Sequence, residues 1–142
     1  MSRVKLLFLC TGNSCRSQMA EAWARHLGGD RVSAHSAGIE SHGKNPRAIA
    51  VMREAGVDIS AQASTRLTDD LLNSTDILVT VCGHAAEHCP RVSADVRREH
   101  WPLEDPAKAT GSENEIMAVF RASRDDIRKR VSALLRCLHD TS

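Results

Sequence analysis

Val4-Lys5-Leu6-Leu7-Phe8-Leu9 runs directly into Cys10-Thr11-Gly12-Asn13-Ser14-Cys15-Arg16-Ser17, and this junction decides the fold. A nearly continuous apolar run that ends in a polar, glycine-containing loop is the pattern of a central strand covered on both faces. Beyond the loop, Met19, Ala20, Trp23, Ala24 and Leu27 recur at helical spacing until Gly28-Gly29 closes the segment. The loop therefore joins a buried strand to a helix.

The same alternation continues outward. Arg31 to Ser36 reads as a strand, and Pro46 opens a helix through Ala48, Ile49, Met52 and Ala55 to Gly56. Thr68 or Asp69 can cap a short helix to Asn73. Asp76 to Val81 reads as a buried strand lying beside the first, and Arg98 to Leu103 as a weaker one. Ser112, with Glu115 three residues on, starts a long terminal helix that carries Ile116, Phe120, Ile127, Val131, Leu134 and Leu138 on one face. Its Arg121, Arg124, Arg128 and Arg130 are expected to form a solvated face. The fold class is α/β: a single domain over residues 1–142, with a four-stranded parallel sheet, helices on both faces and an anion-binding loop after the first strand. Ligands of such sheets bind beyond the carboxyl ends of the strands, at a switch point.

Composition narrows the function. Hydrophobic residues at 42% and charged residues at 26% exclude a disordered or low-complexity chain. Nineteen Lys and Arg against eighteen Asp and Glu leave a net charge of +1, no footprint for nucleic acid or an anionic membrane. The longest apolar run, Val4 to Cys10, is far short of the roughly 20 residues that cross a bilayer and lacks a signal-peptide pattern, so a cytoplasmic protein is expected. Five cysteines, Cys10, Cys15, Cys82, Cys89 and Cys137, are an odd number in a reducing compartment and argue for reactive thiols or metal ligands over a disulfide framework.

A loop of this kind can wrap the backbone N–H groups of Thr11, Gly12, Asn13, Ser14, Cys15, Arg16 and Ser17 around a tetrahedral oxyanion at the positive end of the following helix, with the Arg16 guanidinium as a bidentate fork. The same field favours the thiolate form of Cys10, and the Ser17 hydroxyl can hydrogen-bond its sulfur. Displacement at an oxyanion centre also needs a proton for the departing oxygen. Asp105, before Pro106, either supplies it or merely initiates a turn. Cys82 and Cys89 follow the strand placed beside the first, which brings Cys82 near Cys10. They allow successive thiol–disulfide exchange, or they are small buried hydrophobes, or with His84 and His88 they bind zinc, against which four ligands within eight residues speak. A helical path between Cys82 and Cys89 would hold their Cα atoms about 10 Å apart and would have to unwind before they could pair. Cys15 reads as a packed small residue, and Cys137 falls outside any motif.

On its loop, its Asp105-Pro106 and its terminal helix, in this order across essentially the whole chain, the sequence resembles the low-molecular-weight protein tyrosine phosphatase family. Within that fold, CTGNSCRSQMAE (10–21), HSAGIE (35–40) and VCGHAAEHCP (81–90) are similar to the arsenate reductases that recycle through thioredoxin. The resemblance implies Cys10, Arg16 and Asp105 as catalytic residues, Cys82 and Cys89 as a disulfide relay, arsenate as substrate, phosphate or sulfate as competing anions, thioredoxin as reductant, and no cofactor or resident metal. It further implies that Asn13, Ser17, Glu21 and Ser36 support the loop. In some members Asn13, Glu21 and Ser36 bind potassium with a fourth, acidic ligand, where this chain has Thr65. Related phosphatases carry proline where this chain has Gln18, and aromatic rings around the mouth, whereas this chain has no Tyr. Two other readings stand beside the reductase: a phosphatase using only Cys10, Arg16 and Asp105, and a redox-sensing or metal-binding module centred on residues 82–89.

Overall fold

The computed structural model describes residues 3–12, 15–40, 43–82 and 96–140. Within them, four strands, β1 (Val4–Cys10), β2 (Val32–Gly38), β3 (Ile77–Thr80) and β4 (Arg97–His100), form one sheet in the order β2-β1-β3-β4, and all three pairings are parallel. Leu6, Leu7, Phe8 and Leu9 are all buried, so both faces of β1 are covered, as its unbroken apolar run requires. The chain steps from β1 to β2 on one side, then crosses to β3 on the other. The order thus reverses at the carboxyl end of β1, and the loop that begins at Cys10 lies there.

Helix α1 (Arg16–Gly28) returns from that loop and packs on β1, β2 and the terminal helix, α4 (Glu113–Asp140). The connection from β2 to β3 carries α2 (Pro46–Glu54), capped by the Asn45 side chain, and the short α3 (Asp69–Asn73), capped by Thr68. Helix α4 begins with the expected reciprocal cap: the Glu115 N–H donates to Ser112 Oγ at 3.2 Å and the Ser112 N–H to the Glu115 carboxylate at 3.4 Å. Gly28 marks a close approach, since a Cβ there would meet Val32 Cγ2 at 2.5 Å, so α1 turns into β2 without room for a side chain.

Two expectations are corrected. The last strand ends at His100, not Leu103. The Trp101 N–H still reaches the Thr80 carbonyl at 2.8 Å, but Pro102 has no N–H to continue a ladder and the chain turns toward the site. The arginines of α4 are not simply a solvated face. Arg124 has a side chain only 14% exposed and donates to the Val51 carbonyl at 2.8 Å, while both it and Arg121 pair with Glu54 at the end of α2. Arg128 lies over the Trp23 ring of α1 at 5.2 Å. These side chains tie α4 to its two neighbours. The first two turns of α1 are buried nearly all round, including the polar Ser17, Gln18 and Glu21 between the apolar positions. The expectations for residues 83–90, including the helical path between Cys82 and Cys89, lie outside the described residues.

Candidate active site

Cys10 is the last residue of β1, and its chain direction changes because two carbonyls in succession are taken from the same side: the Ile39 N–H donates to the Cys10 carbonyl at 3.1 Å and the Glu40 N–H to the Thr11 carbonyl at 2.8 Å. The thiol is 3% exposed. Its sulfur lies 2.8 Å from Ser17 Oγ, within hydrogen-bond reach, at the start of α1. The thiol and the Ser17 hydroxyl thus stand together where β1 gives way to α1.

Arg16, the first residue of α1, is held by carbonyls of two other segments. Its Nη1 donates to the Leu103 carbonyl at 3.0 Å and to the Val81 carbonyl at 3.4 Å, and its Nη2 stands 3.7 Å from Asp105 Oδ2. The side chain is 11% exposed, so the fork is fixed in a largely enclosed place. Asp105 initiates a turn, one of its two sequence-based readings, and its second oxygen stands near Arg16. Oδ1 accepts from the Ala107 N–H at 3.0 Å and caps the tight turn Pro106–Lys108, which leaves Oδ2 facing Arg16. The turn orients the acid.

Register brings the second thiol to the loop. Leu9 pairs with Thr80, the Val81 N–H donates to the Leu9 carbonyl at 2.9 Å, and Cys82 follows at the carboxyl end of β3. Its sulfur lies 3.2 Å from Thr11 Oγ1, one residue beyond Cys10. Cys15 is buried at the start of α1 and belongs to the core cluster, in keeping with a packing role, and Cys137 is exposed on α4, remote in sequence from the loop. Asn13, Ser14 and Cys89 lie outside the described residues.

Glu21, one turn further along α1, accepts from Ser36 Oγ at 2.7 Å and pairs with Arg25 at 3.1 Å, so α1 and β2 are joined behind the loop. Glu21, Ser36 and Thr65 line a cavity of about 300 Å³ that also contains Arg25 and His35. With both Glu21 oxygens engaged, one of them by a guanidinium, and an uncharged Thr65 where an acid would sit, these donors do not suit a resident potassium ion. Burial pushes the Glu21 carboxyl above its ordinary range, outweighing the opposing Ser36 hydrogen bond and the charges of Arg25 and His35. A carboxyl raised in this way binds its proton more tightly in the folded chain. Its contribution to stability is complete below the usual carboxylate range and is lost as pH rises through the folded value. Thermal unfolding followed against pH should therefore show the native chain losing ground to Glu21→Gln over that interval. Parallel profiles for the two proteins would assign the group an ordinary titration.

The sequence reading named Gln18 only as a departure from related phosphatases, without a role, and missed Gln62 and Ser64. Gln18 is fully buried behind the loop, and Ser64 Oγ reaches the Gly12 carbonyl at 3.5 Å. Gln18 is a polar residue at a buried helical position, and Gln62 and Ser64 are half-buried in a connecting segment, and neither setting has a signature in spacing.

Residues 5–142 match the family model described as low molecular weight phosphotyrosine protein phosphatase. The arsenate reductase of Bacillus licheniformis is 53% identical over 131 residues, covering 92% of this chain and 94% of that protein. A solved structure of an arsenate reductase in the phosphate binding state superposes with a TM-score of 0.77 at 34% identity, covering 94% of this chain and 97% of the other. A thioredoxin-dependent arsenate reductase of Corynebacterium glutamicum superposes with a TM-score of 0.78 at 27% identity, covering 99% of this chain and 64% of that one.

Proposed function

From the premise that this chain belongs to the low molecular weight phosphotyrosine protein phosphatase family, and within it to the arsenate reductases, we propose that it reduces arsenate to arsenite through Cys10, Cys82 and Cys89. The observation that carries this reading is the Cys82 sulfur at 3.2 Å from Thr11 Oγ1. Phosphate-ester chemistry through Cys10, Arg16 and Asp105 leaves the Cys82 thiol idle, whereas the relay needs one beside the loop.

The proposed steps are those of thiol chemistry, supported at the first two by the places of Cys10 and Cys82. Arsenate enters the cradle against the N-terminus of α1 and the Arg16 fork. The Cys10 thiolate attacks arsenic(V) and forms an S–As bond, while Asp105 delivers a proton to the oxygen that leaves as water. The Cys82 thiolate then attacks the Cys10 sulfur. The pair of electrons in the S–As bond passes to arsenic, which leaves as arsenite in the +3 state, and a Cys10–Cys82 disulfide remains. Cys89 attacks Cys82 in turn, freeing Cys10 as a thiolate and leaving a Cys82–Cys89 disulfide for a dithiol reductant. Thioredoxin is the reductant we assign, and the thioredoxin-dependent relative supports it. No helix among the described residues is long and apolar enough to cross a membrane, and we assign the cytoplasm, where such a reductant is kept reduced.

Phosphate and sulfate match arsenate in shape and should compete for the cradle, yet neither is reduced by thiols. Selectivity therefore rests on redox chemistry more than on binding. The phosphatase reading survives as a side activity, with Cys10, Arg16 and Asp105 acting on a phosphate ester and water resolving the phosphocysteine. The test is arsenate turnover, followed as NADPH oxidation, with a thioredoxin system against a glutaredoxin and glutathione system. Turnover with thioredoxin, competitively inhibited by phosphate, is the expected result. No turnover with either system would overturn the reductase assignment, and turnover with glutaredoxin alone would replace the reductant.

A further inference from the structure

Gln18 is 0% exposed, and its carboxamide sits at the meeting of two segments. Its Nε2 donates to the Ala63 carbonyl at 2.9 Å, and its Oε1 accepts from Gln62 Nε2 at 2.7 Å. The same Gln62 nitrogen lies 3.1 Å from the Gln18 carbonyl. Two side-chain amides and two main-chain carbonyls thus close on one another between α1 and the strap formed by residues 62–67. Buried amides hold position well when their groups are paired and are costly to leave half-paired.

The strap in turn supports the other half of the cradle. The Gly38 N–H donates to the Thr65 carbonyl and the Leu67 N–H to the Gly38 carbonyl, both at 2.8 Å. Gly38 is followed by Ile39 and Glu40, whose N–H groups hold the carbonyls of Cys10 and Thr11. In a trans peptide the carbonyl and the next N–H point in opposite directions, so these two bonds turn the N–H groups of Thr11 and Gly12 away from the strap side. Ser64, itself an acceptor for the Gly43 N–H, adds its contact to the Gly12 carbonyl. One wall of the cradle is therefore oriented through the strap, and the other is the N-terminus of α1.

We infer that Gln18 and Gln62 form an amide lock that sets the spacing between these two walls, and that Gln18 is thereby a positioning residue for the oxyanion. The inference rests on the anion-binding reading above and deepens it: the lock acts on oxyanion affinity through the spacing of the walls. Loss of the lock lets the strap side move relative to α1, so that the N–H groups and the Arg16 fork no longer converge on one tetrahedron. Affinity falls while the thiols keep their places at the ends of β1 and β3.

Calorimetric titration of inorganic phosphate into the reduced protein, well below its unfolding temperature, tests this with Gln18→Leu, Gln62→Leu and the double variant. Each single change should weaken phosphate binding about five- to tenfold, the scale of one or two buried hydrogen bonds. The double variant should lose no more than either single one, because each breaks the same lock. For arsenate, KM should rise in step while kcat at saturation stays within about twofold. Where Gln18→Leu fails to fold, Gln62→Leu, at a half-buried position, decides alone. Unchanged phosphate affinity in the variants, losses that multiply in the double variant, or a fall in kcat without a rise in KM would overturn the lock. Native protein that binds phosphate and reduces arsenate while the variants match it defeats this inference and leaves the proposed function standing. Native protein that binds no phosphate defeats both.

Discussion

Cys10→Ser should abolish multiple-turnover arsenate reduction and phosphatase activity together, a fall of at least about 10⁴-fold, the scale seen when a covalent nucleophile is removed. A serine hydroxyl remains protonated near neutral pH, and it can neither attack arsenic(V) as a thiolate does nor accept the disulfide that releases arsenite. The substitution is nearly isosteric at a 3% exposed position, and the Ser17 hydroxyl stands 2.8 Å away to pair with the new oxygen. The fold and the cradle should therefore persist, so phosphate should still raise the melting temperature of the variant. Measurable reduction over many turnovers by a folded Cys10→Ser protein would remove Cys10 from the mechanism.

The second large effect separates the relay from the phosphatase chemistry. Cys89→Ser should carry out one turnover, release one arsenite and stall with Cys10 joined to Cys82. Cys82→Ser should stop earlier, with arsenic still attached to Cys10. Steady-state reduction should be lost in both, whereas phosphatase activity should survive in both, because that reaction uses only Cys10, Arg16 and Asp105. Mass spectrometry of tryptic peptides after arsenate treatment, with free thiols alkylated first, reads the outcome directly. A reduced Cys10 in Cys89→Ser after arsenite has appeared would break the proposed order. Loss of phosphatase activity in Cys82→Ser would mean that Thr11, whose hydroxyl lies 3.2 Å from that sulfur, depends on it for the shape of the loop.

Much of this architecture was legible in the chain because it rests on local chemistry. Leu6 to Cys10 are apolar at consecutive positions, a short run bounded by a polar turn, which is the pattern of a strand with two covered faces. Ser112 and Glu115, three residues apart, cap α4 as their spacing requires. The loop from Cys10 to Ser17 announces an anion site because a thiol, a glycine and an arginine stand in order between a strand and a helix. Of the two readings of Asp105 in the sequence, the turn is seen directly in its bond from the Ala107 N–H, and the second oxygen stands near Arg16.

What spacing could not show is which polar groups the tertiary structure would bury and against what. Arg124 stands at a position that helical periodicity assigns to solvent, yet it is enclosed because α2 ends beside it and presents the Val51 carbonyl and Glu54. Gln18 and Glu21 lie among helical residues with no apolar signature, and only the packing of α1 against β2 and the 62–67 strap makes them interior. The nearness of Cys82 to the loop is likewise a property of the sheet. It follows from β3 pairing with β1 in the register Leu9 to Thr80, and 71 residues of chain separate that thiol from its Thr11 partner. Sequence by itself determined the strand, the helix that follows it and the set of reactive side chains between them, because these depend on residues within a few positions of one another. The tertiary structure decided which distant thiol, carbonyl and amide converge on the loop, because burial and strand register are settled by the whole chain at once.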